Sequence, residues 1–415
     1  MIIDDRGVDA LAESARSAGS MALDLEFLWE RTYAPKACLA QVAVGERISL
    51  VDPIEGASLA PLAALLDDPD VEVVMHAPSA DLQLLSMAFG VRPRNLADVQ
   101  IAAGFVGLGA GQSLASLLSR VLSVRLDKGE RYTDWSRRPL SDAQLSYAAA
   151  DVEHLFLLRD ALMQRADDLG RRSWVDEEVE RRYGTDARLA PDPERSWQRV
   201  KGQGRLSPRE RARLKAAAEW RERTAARRNI PVGWVLPDRP LVQAAQRRPR
   251  GRDALMRERG VPDRFSAKDA DALLRALAEG DEAEPVRMPP APPPEVQERL
   301  ETLVPLGAVL VSGRAAAAEV ASTLVGTRDD ITAFLAATLG ADRDPGPLAE
   351  GWRATLVGDA LTDLAEGRLA LAATPEPPYL MECVPGRADA AGAPAAGVSA
   401  EESGGKSAPG GAAPG

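Results

Sequence analysis

Residues 21–27, MALDLEF, read as a strand whose apolar run is interrupted by two carboxylates, Asp24 and Glu26. Residues i and i+2 of a strand point to one face, about 7 Å apart or less, so the two acids stand side by side. A solvated strand face can hold such a pair. So can a divalent cation: a hard ion such as Mg²⁺ takes oxygen ligands and is often held by one or two carboxylates plus substrate phosphates. The second reading needs more acids. Asp81 supplies one, in the first turn of a helical stretch that follows the apolar strand VEVVMH at 71–76. Asp151 supplies another, four residues after Tyr147 in QLSYAAADVEHL, which puts phenol and carboxylate on one helix face. Taken alone, that pair more readily describes a tyrosine packed on the core beside an exposed aspartate. The three alanines between them leave the face open to close approach.

These residues can act together only if the surrounding elements gather them. Strand-like runs occupy 21–27, 37–44, 47–53 and 71–76, and helical patterns follow at 79–90, 95–107, 112–122 and 141–166. The last opens on Ser141, a capping residue, with Asp142 in its first turn. Strands followed by helices predict a mixed α/β sheet covered by helices, forming a first domain over about 1–170. From about 205 the pattern is helical. Ser207 caps and Pro208 starts a long helix over 207–229. A helical domain is expected over 205–282, then a proline-rich linker, EPVRMPPAPPPE at 284–295, and a further helical unit over 295–374. Residues 385–415 are mostly Gly, Ala, Ser and Pro, and are expected to be disordered because they cannot bury enough apolar surface to fold.

The chain of 415 residues carries 62 Asp/Glu against 51 Lys/Arg, a net charge of −11, but the charge is unevenly spread. Residues 1–165 hold 15 basic and 23 acidic residues (−8), residues 195–260 hold 19 and 6 (+13), and residues 295–376 hold 6 and 13 (−7). Six acids cannot pair nineteen bases, so the middle block predicts a phosphate-backbone grip. Two cysteines, Cys38 and Cys383, and two histidines, His76 and His154, support neither a disulfide framework nor a structural zinc site. The N-terminus lacks the basic and apolar segments of a secretory signal. No uninterrupted apolar run approaches about 18 residues, so no membrane span and a cytoplasmic location are expected.

In order, Asp24-x-Glu26, Asp81 and Tyr147-x-x-x-Asp151 resemble the DEDD superfamily of 3′-to-5′ exonucleases in its tyrosine subgroup. The surrounding blocks "MALDLEF", "MHAPSADLQLL", "ADVQIAAGFVG", "LDKGERYTDWSRRPLSDAQLSYAAADVEHLFLLRD" and "WRERTAARRNIPVGWVLPD" are similar to the ribonuclease D family, whose nuclease domain precedes helicase-and-RNase-D C-terminal (HRDC) domains. The resemblance implies a ribonuclease H-like exonuclease domain over 1–170, an HRDC domain over 205–282 and a second, degenerate HRDC-like domain over 295–374. The second is carried by "EVASTLVGTRDDITAFL" and "LAEGWRATLVGDALTDLAEGRLAL". Its acidic balance points to packing on the rest of the chain or to protein contact.

The resemblance also implies two Mg²⁺ ions per site, with Mn²⁺ as a substitute, flanking the scissile phosphate in an in-line displacement. By the family pattern Asp24 bridges both ions, Glu26 and Asp151 hold the one on the nucleophile side, and Asp81 serves the leaving-group side. Tyr147 would orient the attacking water, since a phenol with a pKa near about 10 is a poor base at neutral pH. The other DEDD subgroup carries a histidine where this chain has Ser146, and His154 lies on the wrong side of Asp151 to replace it. His76 reads as a structural histidine that could touch substrate.

The segment 127–141, DKGERYTDWSRRPLS, sets Lys128, Arg131, Arg137 and Arg138 around Tyr132 and Trp135. Such a segment can stack unpaired bases and hold phosphates, or Trp135 and Pro139 can fasten the loop to the core. The expected activity is metal-dependent release of nucleoside 5′-monophosphates from RNA with a free 3′ end, with tRNA precursors as the substrate class the resemblance brings. A DNA exonuclease of repair or proofreading type, and an inactive nucleic-acid-binding adaptor, are the rival readings.

Overall fold

The computed structural model of the chain describes residues 2–126, 133–185, 187–375 and 380–384. The segment 385–415, expected to be disordered, lies outside them. The first part of the chain runs through β1 (Ile2–Ile3), α1 (Asp5–Ala18), β2 (Ser20–Leu28), β3 (Lys36–Val44), β4 (Arg47–Val51), α2 (Ala60–Leu66), β5 (Glu72–Met75), α3 (Ser79–Phe89), β6 (Leu96–Asp98), α4 (Val99–Phe105) and α5 (Leu114–Leu117). It continues through α6 (Asp142–Glu153), α7 (Leu155–Asp168) and α8 (Arg172–Tyr183). The six strands form one mixed sheet in the order β1-β4-β3-β2-β5-β6, with helices against it, as the patterning predicts.

The sheet topology makes room for chemistry at one place. β2 pairs antiparallel with β3 along its length but parallel with β5 only over Ser20–Ala22. Its C-terminal half, carrying Asp24 and Glu26, therefore has a strand on one side and the start of α3 on the other. Met21, Leu23 and Leu25 are buried on the opposite face, and a register shift between Glu26 and Phe27 ends the regular pairing. Clefts at the carboxyl ends of parallel strands, where the sheet order changes direction, are the usual ligand sites of α/β sheets.

Two local expectations are corrected. The helix expected over 141–166 breaks at His154 (φ −113°, ψ 8°), because α6 lies over β2, β3 and β4 while α7 packs on α4 and β5. The stretch 95–107 begins as the edge strand β6, paired parallel with β5, before turning into α4.

Two hydrophobic cores divide the molecule. One joins the sheet and its helices to residues 300–365 of the C-terminal helices. There Trp352 stacks on Trp174 (centroids 5.3 Å apart) and meets Phe105 edge-on (5.0 Å). The Ala321 amide donates to the Gly104 carbonyl, and a Cβ on Gly104 would stand 2.5 Å from a Leu324 methyl. Arg353, buried, donates to the Glu178 carboxylate, which also accepts from Arg181 and Arg182. The C-terminal unit thus packs on the rest of the chain, one of the two alternatives expected of it. It is not wholly helical: Ala370–Ala373 (β7) and Leu380–Cys383 (β8) pair antiparallel. Its helix Pro294–Ala317 is long and apolar enough to cross a membrane by length and composition alone, yet buries Leu300, Val304, Leu310 and Val311 in the shared core.

The other core belongs to the basic region and is built by Trp197, Leu214, Leu241, Leu273 and their neighbours. Its long helix α9 (Pro208–Arg228) begins in a capping box between Ser207 and Glu210. Asn229, which ends α9 in the left-handed conformation, accepts through Oδ1 from the Tyr33 and Ala34 amides of the β2–β3 loop, and the Tyr33 hydroxyl donates to Glu222 on α9. Tyr33→Phe is expected to cost about 1 kcal/mol, read as a lower denaturation midpoint at unchanged slope.

Candidate active site

Three carboxylates converge over the C-terminal half of β2. One ligand oxygen from each of Asp24, Glu26 and Asp151 lies within 4.8 Å of the other two. Asp24 and Glu26 come from one strand face, and Asp151 from α6 crossing above it. The fourth acid, Asp81, sits in the first turn of α3, 7% exposed. It stands outside that set of three but close enough to act on both Asp24 and Glu26. The α6 helix is aimed by a reciprocal cap, in which the Ser141 hydroxyl accepts from the Gln144 amide and the Gln144 side chain accepts from the Ser141 amide.

Crowding of like charges leaves its mark on each acid. Burial, then the carboxylates of Asp81, Asp151 and Glu26, hold Asp24 well above the usual carboxylate range. Burial, then Asp151 and Asp81, push Glu26 up to about 8. Burial raises Asp81 to about 7 against opposing hydrogen bonds from its own amide and that of Leu25, and burial raises Asp151 to about 7. Among the described residues no arginine or lysine offsets any of the four. An all-oxygen, all-anionic donor set fits hard divalent cations.

Tyr147 lies one turn before Asp151 on the same helix, half-buried, its ring 6.2 Å from that of Trp135. Trp135 itself is buried with Cys38, Leu39 and Leu50 against Ala148 of α6, so of the two readings of its segment it takes the one that fastens the loop to the core. Arg138 is likewise turned inward. Its guanidinium grips both oxygens of Asp52 and donates to the carbonyls of Cys38, Trp135 and Arg137. The expectation that Trp135 and Arg138 face nucleic acid is corrected, since both side chains point into the protein and are held there by these neighbours. Arg137 is solvent-facing, 3.1 Å from Asp134. Lys128 and Arg131 lie outside the described residues.

The sequence reading missed the residues that aim α3. Asp98, buried at the end of β6, accepts from the amides of Ala77 and Gln100 and from the Tyr183 hydroxyl. It thereby holds the left-handed turn at Ala77 (φ 53°) from which α3 starts and delivers Asp81. An aspartate before an apolar helical run is an N-cap signal, but nothing local points to Ala77 or Tyr183. His76 is a satisfied histidine, its Nε2 2.9 Å from the Gln112 carbonyl. His154 marks the break between α6 and α7.

The excess of positive charge at 195–260 is partly consumed internally. Arg211, Arg213 and Arg221 are buried, and Arg228, Arg247, Arg248 and Arg252 pair with Asp269, Glu258, Asp281 and Asp271, three of these acids lying beyond residue 260. Arg239, Arg250, Arg257 and Arg259 are exposed, with no carboxylate partner among the described residues.

Comparison with known proteins agrees with this fold. The 3′-5′ exonuclease family matches residues 1–167, and the HRDC domain matches residues 210–277. The chain is 35% identical to a ribonuclease D of Zymomonas mobilis over 382 residues, covering 89% of this chain and 95% of that one. It is 36% identical to a ribonuclease D of Acidiphilium cryptum over 368 residues, 88% and 92% of the two chains. Among solved structures, the RNase D of Escherichia coli, described as an exoribonuclease involved in structured RNA processing, superposes with a TM-score of 0.75 at 28% identity, covering 88% of this chain and 98% of that one.

Proposed function

The chain belongs to the ribonuclease D family and is a 3′-to-5′ exoribonuclease dependent on divalent metal; from that premise we propose that Asp24, Glu26, Asp81 and Asp151 hold two Mg²⁺ ions and that the enzyme trims the 3′ ends of structured RNAs such as tRNA precursors. The observation that carries the reading is the set of carboxylate oxygens of Asp24, Glu26 and Asp151 within 4.8 Å of one another. Bound there, a pair of such ions stabilises charge on the attacking and leaving oxygens. The protein's part is to present ionised carboxylates from rigid elements. Their raised proton affinity means that cation binding must release protons, so binding tightens as pH rises. Tyr147, a turn from Asp151 on the same helix, would orient the attacking water. The water oxygen bonds to phosphorus, the bond to the 3′ oxygen of the preceding nucleotide breaks, and a nucleoside 5′-monophosphate leaves with a shortened RNA. Along the chain the nuclease unit is assigned to 1–170, the basic HRDC unit to 205–282 and the acidic helical unit to 295–374.

A 3′-extended tRNA labelled at its 5′ end tests this reading. A ladder shortening from the 3′ end with Mg²⁺, and none with chelator, is expected; binding without shortening would leave the chain an adaptor. The exposed arginines make a separate prediction. Replacing Arg239, Arg250, Arg257 and Arg259 with glutamine should weaken RNA binding for all sequences alike. It should also flatten the dependence of log K on log[salt] by about 0.7 for each phosphate of a single strand that the protein no longer neutralises, as read by a filter-binding titration.

A further inference from the structure

Gln41 stands at the centre of β3, opposite Asp24 on β2 and Leu50 on β4. Residues directly opposed in antiparallel strands share a face, their Cβ atoms about 4.5–5.5 Å apart. Here that face is the one covered by α6, whose Ala148 packs there with Leu39 and Leu50. Gln41 is 0% exposed, and neither its Oε1 nor its Nε2 has a hydrogen-bond partner among the described residues. A buried amide left unpaired is destabilising, so an apolar side chain of the same size would serve packing better. The neighbouring Asp24 carboxylate can accept about four hydrogen bonds, and the protein donor that acts on it is the Leu25 amide.

We propose that Gln41 is a positioning residue for Asp24, its Nε2–H donating to the Asp24 carboxylate through one bridging water and so fixing which oxygen faces the cations. The inference rests on Asp24 being a cation ligand. Gln41 touches neither RNA nor cation; it restricts the rotation of a group that does. Partners of this kind typically change metal affinity about 10- to 100-fold.

The test is calorimetric titration of the full-length, metal-free chain with Mn²⁺ at pH 8, alongside thermal unfolding in chelator, for wild type, Gln41→Met and Asp24→Asn. Gln41→Met conserves volume and removes the unpaired amide. It is expected to match or exceed wild type in thermal midpoint while binding Mn²⁺ about tenfold or more weakly. Binding as tight as wild type would make Gln41 a packing residue and overturn the inference. If Asp24→Asn also binds as wild type does, the assignment of Asp24 as a ligand fails and takes this inference with it. Should Gln41→Met not fold, the side-chain amide resonances of Gln41 in the wild-type protein decide. A shift with slowed hydrogen exchange on adding Mg²⁺ supports the bond, and unchanged resonances reject it.

Discussion

Asparagine at position 24 or 151 is expected to lower the rate of nucleoside monophosphate release from RNA by more than about a thousandfold, beyond the roughly 10- to 100-fold typical of a group that only supports a ligand. Asparagine keeps the shape of aspartate but removes the charge, and three acid oxygens within 4.8 Å of one another leave little redundancy for holding a divalent ion. The same substitutions should stabilise the metal-free protein, because Asp24 and Asp151 both belong to the cluster whose carboxylates repel one another at Asp24 and Glu26. Loss of activity with a raised thermal midpoint in chelator is the combined signature. Trimming at near wild-type rates by either variant would remove that carboxylate from the site, and loss of activity with a lowered midpoint would mean a damaged fold.

The second large effect is on stability against pH. Glu26, Asp81 and Asp151 titrate near 8, 7 and 7 in the folded chain and near about 4 when unfolded, with Asp24 raised in the same direction. The folded protein therefore binds more protons than the unfolded one between about pH 4 and 8, and its stability falls as pH rises through that window. At about 1 kcal/mol for each carboxylate, after allowance for solvent screening, the metal-free protein should melt several degrees lower at pH 8 than at pH 5, since about 2–4 °C accompanies each kcal/mol in a domain of this size. Mg²⁺ should restore the midpoint at pH 8 and do little at pH 5, where protons already occupy the oxygens. A scan of melting temperature against pH, with and without the ion, reads both arms. A midpoint that rises with pH in chelator would contradict the raised proton affinities.

Much of the site was legible in the sequence because its determinants are local. An i, i+2 pair on a strand, an acid in the first turn of a helix, and a Tyr–Asp pair one helical turn apart are fixed by backbone period alone, and the sheet-forming runs around them alternate or persist as expected. What stayed hidden depends on pairings between distant positions. Arg138 looked like a phosphate ligand because its segment is basic and aromatic, but its partner Asp52 lies 86 positions earlier. Asp98 steers α3 through Ala77 and Tyr183, 21 positions before and 85 after it. The block charge of +13 overstated the free positive surface for the same reason, since acids at 269, 271 and 281 fold back onto its arginines.

The core shared by the N-terminal sheet and the C-terminal helices sets an order of events during synthesis. Phe105 and Trp174 meet Trp352, and Glu178 meets Arg353, so the side chains that close this core leave the ribosome long after the strands that begin it. At about 5–20 residues per second, the nascent chain carries its carboxylates for roughly ten seconds or more before α4 and α8 are covered. A degradative enzyme born on the ribosome thus completes its framework only once Trp352 and Arg353 have emerged.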